Sequence, residues 1–283
     1  MLDLAPSERW LDAPARALGS GRLRVARVGS TSVVTEARAT SPLKWLTPRS
    51  HGGAAWVFAS TYGGGLVDGD AVMIEAAIER HACAMLSTQA STKIYRSARG
   101  TSLVLRAGVE SGATLVVLPD PNVCFAGSSY SQTQHFSLVE GASLVYLDWM
   151  TSGRRARGER WAFRDYRSRL SIDHAGQLIC HDAVTLSSTD MPLSERFGHF
   201  DVWATVAIVG ERLRDDWTQA LEMIAGRPLV PRADCLVAGA ALGDVGVLAR
   251  VAGRSVEDVG HAVQRILTFV PRLLGDNPWA RKW

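Results

Sequence analysis

The sequence has 283 residues, 47% of them hydrophobic, so a single domain of this length can bury a large core. Its 31 basic and 28 acidic side chains leave a formal net charge of +3, which argues against a nucleic-acid-binding surface. The 4 cysteines lie far apart and lack the paired spacing of a zinc site, so we expect them to be reduced thiols in the core.

The N-terminal residues include early acidic side chains and lack the unbroken apolar run of a secretory signal. No apolar run approaches the ~18 residues that a membrane-spanning helix requires. We therefore expect a cytoplasmic protein without membrane association. Residues 1–20 are predicted to form an N-terminal extension. Residues 21–283 are predicted to form one domain, with a β body over residues 21–210 and a helical part over residues 211–283.

Short apolar runs separated by Gly, Ser and Asp clusters dominate residues 21–186, a pattern typical of many short strands. In one run, Phe136 and Leu138 alternate with the polar His135 and Ser137. This period of two indicates strands with one buried face and one exposed face. The sequence therefore predicts a mainly β body.

A weak repeat runs through the β body. The segments ACAML, GATLVVL and GASLVYL begin at Ala82, Gly112 and Gly141, a spacing of about 30 residues. Stacked layers of strands, each burying its apolar face against the next, would produce this spacing. The hairpins of a β-sandwich produce a similar rhythm, so the period alone does not choose between the two architectures.

Two helices are predicted within residues 211–283. Apolar residues at helical spacing mark the first: Leu213, Trp217, Leu221 and Ile224. Gly226 follows them, where a left-handed glycine would end the helix. Ser255 is the predicted N-cap of the second, whose apolar stripe is Val256, Val259, Val263, Ile266, Leu267 and Val270. Pro271 should kink or end this helix. Both stripes are expected to pack on the core rather than to bind a partner.

The segment YGGGLVDGD, from Tyr62 to Asp70, contains three consecutive glycines and two acidic residues, Asp68 and Asp70, around Gly69. It is not a phosphate loop, because it lacks the GK[ST] ending and no helix is predicted after it. It also lacks the number of ligands of a calcium loop. We expect a turn that presents two carboxylates, either to solvent or to a cavity.

The segment LSTQASTKIYRS, from Leu86 to Ser97, has hydroxyl side chains ahead of Lys93, Tyr95 and Arg96. A nucleophilic serine would require a partner histidine and usually a strained GxSxG elbow, and the sequence has no such motif. The histidines are scattered and none is predicted to be a metal ligand. Hydrolase chemistry of this type is therefore disfavoured.

These two segments, in this order, resemble the UreD family of urease accessory proteins, also called UreH. The resemblance begins upstream with SPLKWLTPR at Ser41 to Arg49. It continues through LPDPNVCFAGSSYSQTQHFSL and GASLVYLDWMTSGRRARGERWAFRDYRSRLSI. Residues 20–185 carry most of it. The LPDP and TSGR forms are similar to those of the plant and fungal members.

The resemblance implies a stacked β-sheet solenoid with two helices, in agreement with the repeat. It implies a protein that is not an enzyme and that binds the accessory protein UreF, the GTPase UreG through UreF, and apo-urease. It also implies that Ni²⁺ passes through a water-filled passage into the apo-urease active site. No tightly bound cofactor is expected, because the metal is only in transit.

A passage of this kind favours scattered oxygen donors, since a closed set of cysteines and histidines would retain the metal. The acidic residues in or beside the family segments are the candidates for weak nickel contacts: Asp68, Asp70, Asp148 and Glu159. A surface or hydrogen-bonded role stays open for each one. The candidates for structural or interface roles are Lys93, Tyr95, Arg96, Trp149 and Arg154.

A cation inside a nickel passage would repel the metal unless it were paired, so Lys93 or Arg96 is expected to neutralise a buried carboxylate. Trp149 and Trp161 are expected in the core, with a partner-binding role for them as the alternative.

One alternative function belongs to another class. A carbohydrate-active hydrolase could use a pair of carboxylates, either Asp68 with Asp70 or Asp148 with Glu159. Such catalysis requires the two carboxyl groups to lie roughly 5 to 9.5 Å apart across one open cleft. The positions of these four side chains therefore distinguish the two functions.

Overall fold

A computed structural model describes residues 18–281 except 190, 229 and 231. These residues contain 18 strands and 4 α-helices, so the fold is mainly β, as predicted. The strands are β1 (Leu18–Val28), β2 (Thr31–Ala39), β3 (Leu43–Leu46), β4 (Ala55–Thr61), β5 (Gly65–Leu66), β6 (Ala71–Ile78), β7 (Cys83–Thr88), β8 (Thr92–Ile94), β9 (Thr101–Val109), β10 (Thr114–Leu118), β11 (Asn122–Cys124), β12 (Ser129–Leu138), β13 (Ser143–Thr151), β14 (Asp165–His174), β15 (Gln177–Ser187), β16 (Val202–Val209), β17 (Cys235–Ala241) and β18 (Gly246–Gly253). The helices are α1 (Leu193–Arg196), α2 (Arg214–Ala225), α3 (Val256–Ile266) and α4 (Val270–Leu274).

The strands form two sheets. The smaller sheet has 7 strands in the order β15-β14-β12-β9-β6-β1-β2. The larger sheet has 11 strands, most of them along the path β17-β18-β16-β13-β10-β7-β4-β3. From β6 to β14 the chain passes back and forth between the two sheets, so successive long strands stack beside equivalent strands of the same sheet.

The predicted repeat is confirmed as a stack of parallel strands in register. Thr114 of β10 pairs with Cys83 of β7 on one side and with Ser143 of β13 on the other. The repeat of about 30 residues therefore corresponds to one passage through both sheets.

The ends of the sheets differ from this stack because the chain reverses there through antiparallel hairpins. One example joins β14 to β15, where Ala175 and Gly176 both have positive φ, as in a two-residue hairpin turn. The sheets are consequently mixed, and neither closes on itself. A β-solenoid, which the family resemblance implies, is therefore not shown for this chain.

Two apolar layers lie on opposite faces of the larger sheet. In β10, Leu115 and Val117 pack between the sheets, whereas Val116 and Leu118 pack in the layer beneath α2 and α3. Because both faces are covered, this strand is apolar at successive positions and does not alternate with polar residues.

The two predicted helices are confirmed. In α2, Trp217 and Ile224 are buried, but Gly226 ends the helix with φ −73 and not in the predicted left-handed conformation. Its backbone N–H instead continues the helical pattern by donating to the carbonyl of Glu222 at 2.9 Å. The prediction of a helical segment 211–283 needs a second correction, because the hairpin β17–β18 also lies in it and extends the larger sheet.

The start and the end of α3 agree with the prediction. The hydroxyl of Ser255 accepts a hydrogen bond from the backbone N–H of Asp258 at 3.0 Å, which caps the helix. The helix ends at Ile266, with Leu267 as its C-cap, because a continuous helix would bring the ring of Pro271 against the Leu267 carbonyl. The chain resumes as α4 with Pro271 in its first turn, where no N–H is needed.

Candidate functional site

A row of polar side chains crosses three neighbouring strands of the larger sheet. Asp148 of β13 pairs in register with Thr205 of β16, and Thr205 pairs with Arg250 of β18. Side chains at matched positions of adjacent strands project from the same face of a sheet. All three project toward the smaller sheet, because Asp148 contacts Gln132 of β12 and Arg250 contacts Asp182 of β15. We call Asp148, Thr205 and Arg250, together with Asp182, the polar row.

Asp148 is the buried end of the polar row, with only 8% of its surface exposed. One carboxylate oxygen accepts hydrogen bonds from Gln132 Nε2 at 2.5 Å and from the Tyr166 hydroxyl at 3.4 Å. The other accepts from Asn122 Nδ2 at 3.4 Å. All of these donors are neutral. Burial raises the pKa of Asp148 to about 6, and the bonds from Gln132, Tyr166 and Ser168 offset part of that rise.

A small cavity adjoins the carboxylate between the two sheets. Its volume is about 10 Å³, which corresponds to a single water position. The polar groups in its wall include Asp148, Tyr166, Ser168, Asp182 and Thr205. The interior at this point is therefore polar and incompletely packed, in contrast to the apolar layer around it.

Asp182 and Arg250 form the outer end of the polar row. The guanidinium of Arg250 makes an ion pair with Asp182 and donates to the Thr205 hydroxyl at 3.1 Å. It also lies 5.2 Å from the centre of the Trp203 ring. Because Asp182 belongs to the smaller sheet and Arg250 to the larger one, the ion pair joins the two sheets.

The predicted turn around Gly69 is present, but its carboxylates bind the loop itself. Asp70 accepts a hydrogen bond from the backbone N–H of Val67 at 2.8 Å. Asp68 accepts from the backbone N–H of Arg99 at 2.7 Å and from its Nε at 3.0 Å. The backbone bond from Arg99 is the main cause that lowers the pKa of Asp68, and the guanidinium adds to it. These contacts support a structural role, and neither side chain lines the small cavity.

Three of the predicted residues meet around Phe125. Glu159 forms an ion pair with Arg154 and accepts from the backbone N–H of Ala126 at 3.1 Å. The Arg154 guanidinium lies 4.0 Å from the centre of the Phe125 ring, and the Tyr95 ring packs edge-on against the same ring at 5.1 Å. The bond from Arg154 lowers the pKa of Glu159. This carboxylate is therefore already compensated by a cation.

Lys93 and Arg96 do not have the neutralising role expected of them. Both side chains are exposed. Within the described residues, Glu159 pairs with Arg154, and Asp148 is bound by neutral donors. The expectation is wrong because the buried carboxylate of Asp148 has no cationic partner in the described ranges. Hydrogen bonds from neutral groups stabilise it, and its pKa is raised.

The two tryptophans have different surroundings. Trp161 is 3% exposed and stacks on Phe197 at 4.0 Å between ring centres, so its predicted place in the core is confirmed. Trp149 is half-buried, and its indole N–H donates to the Pro119 carbonyl at 2.8 Å. It lines a groove of about 920 Å³ beside α3, whose wall also includes Pro119, Asp120, Val256 and His261.

The hydrolase alternative is not supported by this geometry. Asp68 and Asp70 are held by loop contacts, and they do not face one another across a cleft. Asp148 lies between the sheets, whereas Glu159 lies in the cluster around Phe125. Neither pair presents the two free carboxyl groups that glycoside hydrolysis requires.

Several residues of the site were missed from the sequence. The alternation that runs through Phe136 and Leu138 continues backward to Gln134 and Gln132, and it would have indicated that both glutamines face inward. No comparable signal was available for Asp182 and Arg250, which are 68 residues apart and meet only through the folded sheets.

In the part of the chain that the structure describes, no helix combines the length and apolar character needed to cross a membrane. Across the same residues, no group of three or more His, Cys, Asp and Glu side chains is arranged to hold a metal ion. The described geometry thus offers oxygen donors in a row but not a closed metal site.

Comparison with known proteins identifies the family of this chain. A model of the family "UreD urease accessory protein" matches residues 17–283. The urease accessory protein UreD of Sorangium cellulosum is 47% identical over 266 residues, covering 94% of this chain and 84% of that protein. The urease accessory protein D of Arabidopsis thaliana is 31% identical, covering 93% of this chain and 100% of the relative.

A fungal protein, the uncharacterized urease accessory protein ureD-like of Schizosaccharomyces pombe, is 31% identical over 206 residues, covering 68% of this chain and 71% of its own length. The resemblance to plant and fungal forms is confirmed, although the bacterial protein has the highest identity of these three. The match extends through the C-terminal helices, beyond the segments that carry the motifs. The chain therefore belongs to the UreD family of urease accessory proteins.

Proposed function

We propose that this chain is a non-catalytic accessory protein of urease maturation in the cytoplasm, and that it guides Ni²⁺ along the polar row toward apo-urease. In this proposal it assembles with UreF, with UreG through UreF, and with apo-urease. Family membership supports the role in urease maturation. The observation that supports the nickel step is a buried carboxylate, Asp148, whose hydrogen-bond partners are all neutral.

The surroundings of Asp148 suit a metal that must move on. Above the pKa of about 6 the buried carboxylate is ionised, and no cationic donor is bonded to it. A hydrated divalent cation would therefore be attracted to it. The other polar side chains around it carry amide and hydroxyl groups, whose oxygen atoms bind Ni²⁺ weakly compared with thiolate or imidazole. The metal would be admitted and then released, as transit requires.

The groove beside α3 supports the scaffold role. It is large enough for side chains of a partner and is bordered by the family segments LPDP and DWMTSGR. Trp149 is half-buried and fixed by its bond to the Pro119 carbonyl, so it has the rigid aromatic surface that often anchors a protein interface. We assign the groove to partner binding and the polar row to the metal.

The test of the nickel step is urease activation in cells that lack this gene and receive variants of it. Asp148→Asn keeps the shape of the side chain but removes its charge, and we expect it to lower urease activity and urease nickel content by about tenfold or more. Asp173→Asn is the matched control, because Asp173 lies on the exposed face of β14 and pairs with His135. Equal rescue by both variants would refute the nickel step.

The test of the scaffold role is co-purification. Trp149→Ala is expected to weaken the association with UreF or with apo-urease by about 2 kcal/mol or more, the effect of losing an interface anchor. Trp45→Ala, in the edge strand β3 of the same sheet and away from the groove, serves as the control. Binding of both partners at wild-type strength by Trp149→Ala would remove the groove from the proposal and leave the nickel step unaffected.

A further inference from the structure

We propose that Arg250 is a counter-ion that blocks access to the Asp182 carboxylate. A divalent cation reaches the polar row by displacing Arg250 from Asp182. Asp182 is then a second carboxylate for the transiting metal. This inference rests on the proposed nickel transit and adds a gate to it.

The position of the ion pair is the first observation. β15 is the last strand of the smaller sheet, and β18 is the second strand from the same end of the larger sheet. The Asp182–Arg250 pair therefore bridges the two sheets at their lateral edge. The pair is more exposed than the rest of the row: the side chains of Arg250 and Asp182 are 29% and 19% exposed, whereas Asp148 and Thr205 are 8% and 6% exposed. The pair is thus the boundary between the interior and solvent.

Continuity with the interior is the second observation. The small cavity has both Asp148 and Asp182 in its wall, and Thr205 lies between them. The Thr205 hydroxyl accepts a hydrogen bond from Arg250. The guanidinium therefore also engages the oxygen atom that comes next in the row as a possible metal ligand. A cation that replaced the guanidinium would meet a cavity whose wall includes Asp182, Thr205 and Asp148, three side chains that carry oxygen atoms.

The charges of Arg250 and Asp182 balance when the two side chains are paired, which we call the closed state of the gate. With Arg250 in place, the outer carboxylate is neutralised, and an approaching cation is repelled by the guanidinium. With Arg250 rotated outward, two carboxylates face one cavity, which matches the charge of one divalent cation. The arginine has a flexible stem and is already partly exposed, so its charged group can move into solvent without crossing the core.

An ion pair that only held the sheets together would predict a different result. Its removal would loosen the fold and would leave metal binding unchanged or weaker. The gate makes the opposite prediction, because loss of the guanidinium frees an anionic ligand at the mouth of the row. The direction of the change in metal binding therefore separates the two roles.

The experiment is a calorimetric titration of the purified full-length chain with Ni²⁺ at neutral pH. Arg250→Gln removes the charge but can still hydrogen-bond Thr205 and Asp182, and Arg250→Met removes both. Both variants are expected to bind Ni²⁺ about tenfold more tightly than wild type. The gain should disappear in the double variant Asp182→Asn/Arg250→Gln, because the ligand released by the first change is removed by the second.

Arg254→Gln is the matched control, since Arg254 forms an exposed ion pair with Asp234 near the same strand. It is expected to bind Ni²⁺ as wild type does. Thermal unfolding of each variant establishes that it is folded, and Arg250→Gln decides the question if Arg250→Met does not fold. No gain in Arg250→Gln, or a gain that persists in the double variant, would overturn the gate.

The outcome is distinguishable from failure of the nickel step itself. If Asp148→Asn activates urease normally, transit along the row is refuted whatever Arg250 does. If Asp148→Asn fails to activate urease but Arg250→Gln shows no gain in Ni²⁺ binding, the row stands and only the gate is lost.

Discussion

Two carboxylates of this chain, Asp148 and Glu159, both lie in family segments, yet they are in opposite electrostatic states. Asp148 is buried among neutral donors and its pKa is raised to about 6. Glu159 is bound by Arg154, and its pKa is lowered. A carboxylate that already has a cationic partner has little attraction left for a metal, whereas one with neutral partners keeps it. The hydrogen-bond or ion-pair partner, and not the acidic residue alone, therefore decides which carboxylate is available to a metal.

The largest expected effect on stability is at Asp148. Its folded pKa lies above the unfolded value of 3.8, so the folded state holds the proton more tightly. The group's contribution to stability is therefore full below about pH 4, is lost as pH rises toward about 6, and stays lost above that. Asp148→Asn has no charge to bury, and we expect its free energy of unfolding at neutral pH to exceed that of wild type by about 2 kcal/mol.

Urea unfolding of wild type and Asp148→Asn over a series of pH values measures this effect. The difference between the two proteins should shrink as pH falls toward about 4 and approach zero below it, because Asp148 then becomes protonated in the unfolded state as well as in the folded state. A variant that is less stable than wild type at neutral pH would show that the ionised carboxylate of Asp148 is well compensated, as that of Glu159 is.

A smaller effect of opposite sign is expected at Glu159. Glu159→Gln removes the anionic partner of Arg154, whose guanidinium stays packed over Phe125. We expect a loss of about 1 kcal/mol in the free energy of unfolding, because the pair is only partly shielded from water. Urea unfolding at neutral pH provides the measurement, with Arg154→Gln as the reciprocal variant. An increase in stability in Glu159→Gln would show that Arg154 does not compensate this carboxylate, so that Glu159 would no longer differ from Asp148.

The smallest effect is expected at Asp68. Its carboxylate binds Arg99 at the surface, so Asp68→Asn should change stability less than Glu159→Gln does and should not alter urease activation. Activation assays in the deletion background test this directly. A loss of activation as large as that expected for Asp148→Asn would indicate that Asp68, in the turn around Gly69, contacts the nickel ion after all.

Much of the fold followed from the sequence. The alternation in β12, the stripe of α3 and the serine cap of that helix were predicted from residue spacing alone, because each depends on local periodicity. The three repeated segments were also recognised from their spacing, and they contain the adjacent parallel strands β7, β10 and β13. The open, mixed sheets were not predicted, since a two-residue hairpin such as Ala175–Gly176 reverses the chain where a solenoid would continue it.

The site was less accessible from the sequence. Asp148 was a candidate, but so were Asp68, Asp70 and Glu159, and nothing local distinguishes a carboxylate with neutral partners from one bound by arginine. The partners of Asp148 come from other strands, 16 residues away for Gln132 and 18 for Tyr166. Only the register of the two sheets brings these groups together.

Binding of Ni²⁺ to the purified chain at about pH 7 and at about pH 5 tests whether the ionised form of Asp148 attracts the metal, because a pKa of about 6 leaves this carboxyl mostly protonated at the lower pH. We expect the affinity of wild type for Ni²⁺ to fall about tenfold at the lower pH, and Asp148→Asn to bind Ni²⁺ weakly at both pH values. Wild-type affinity in Asp148→Asn at neutral pH would contradict the claim that this buried carboxylate attracts the metal.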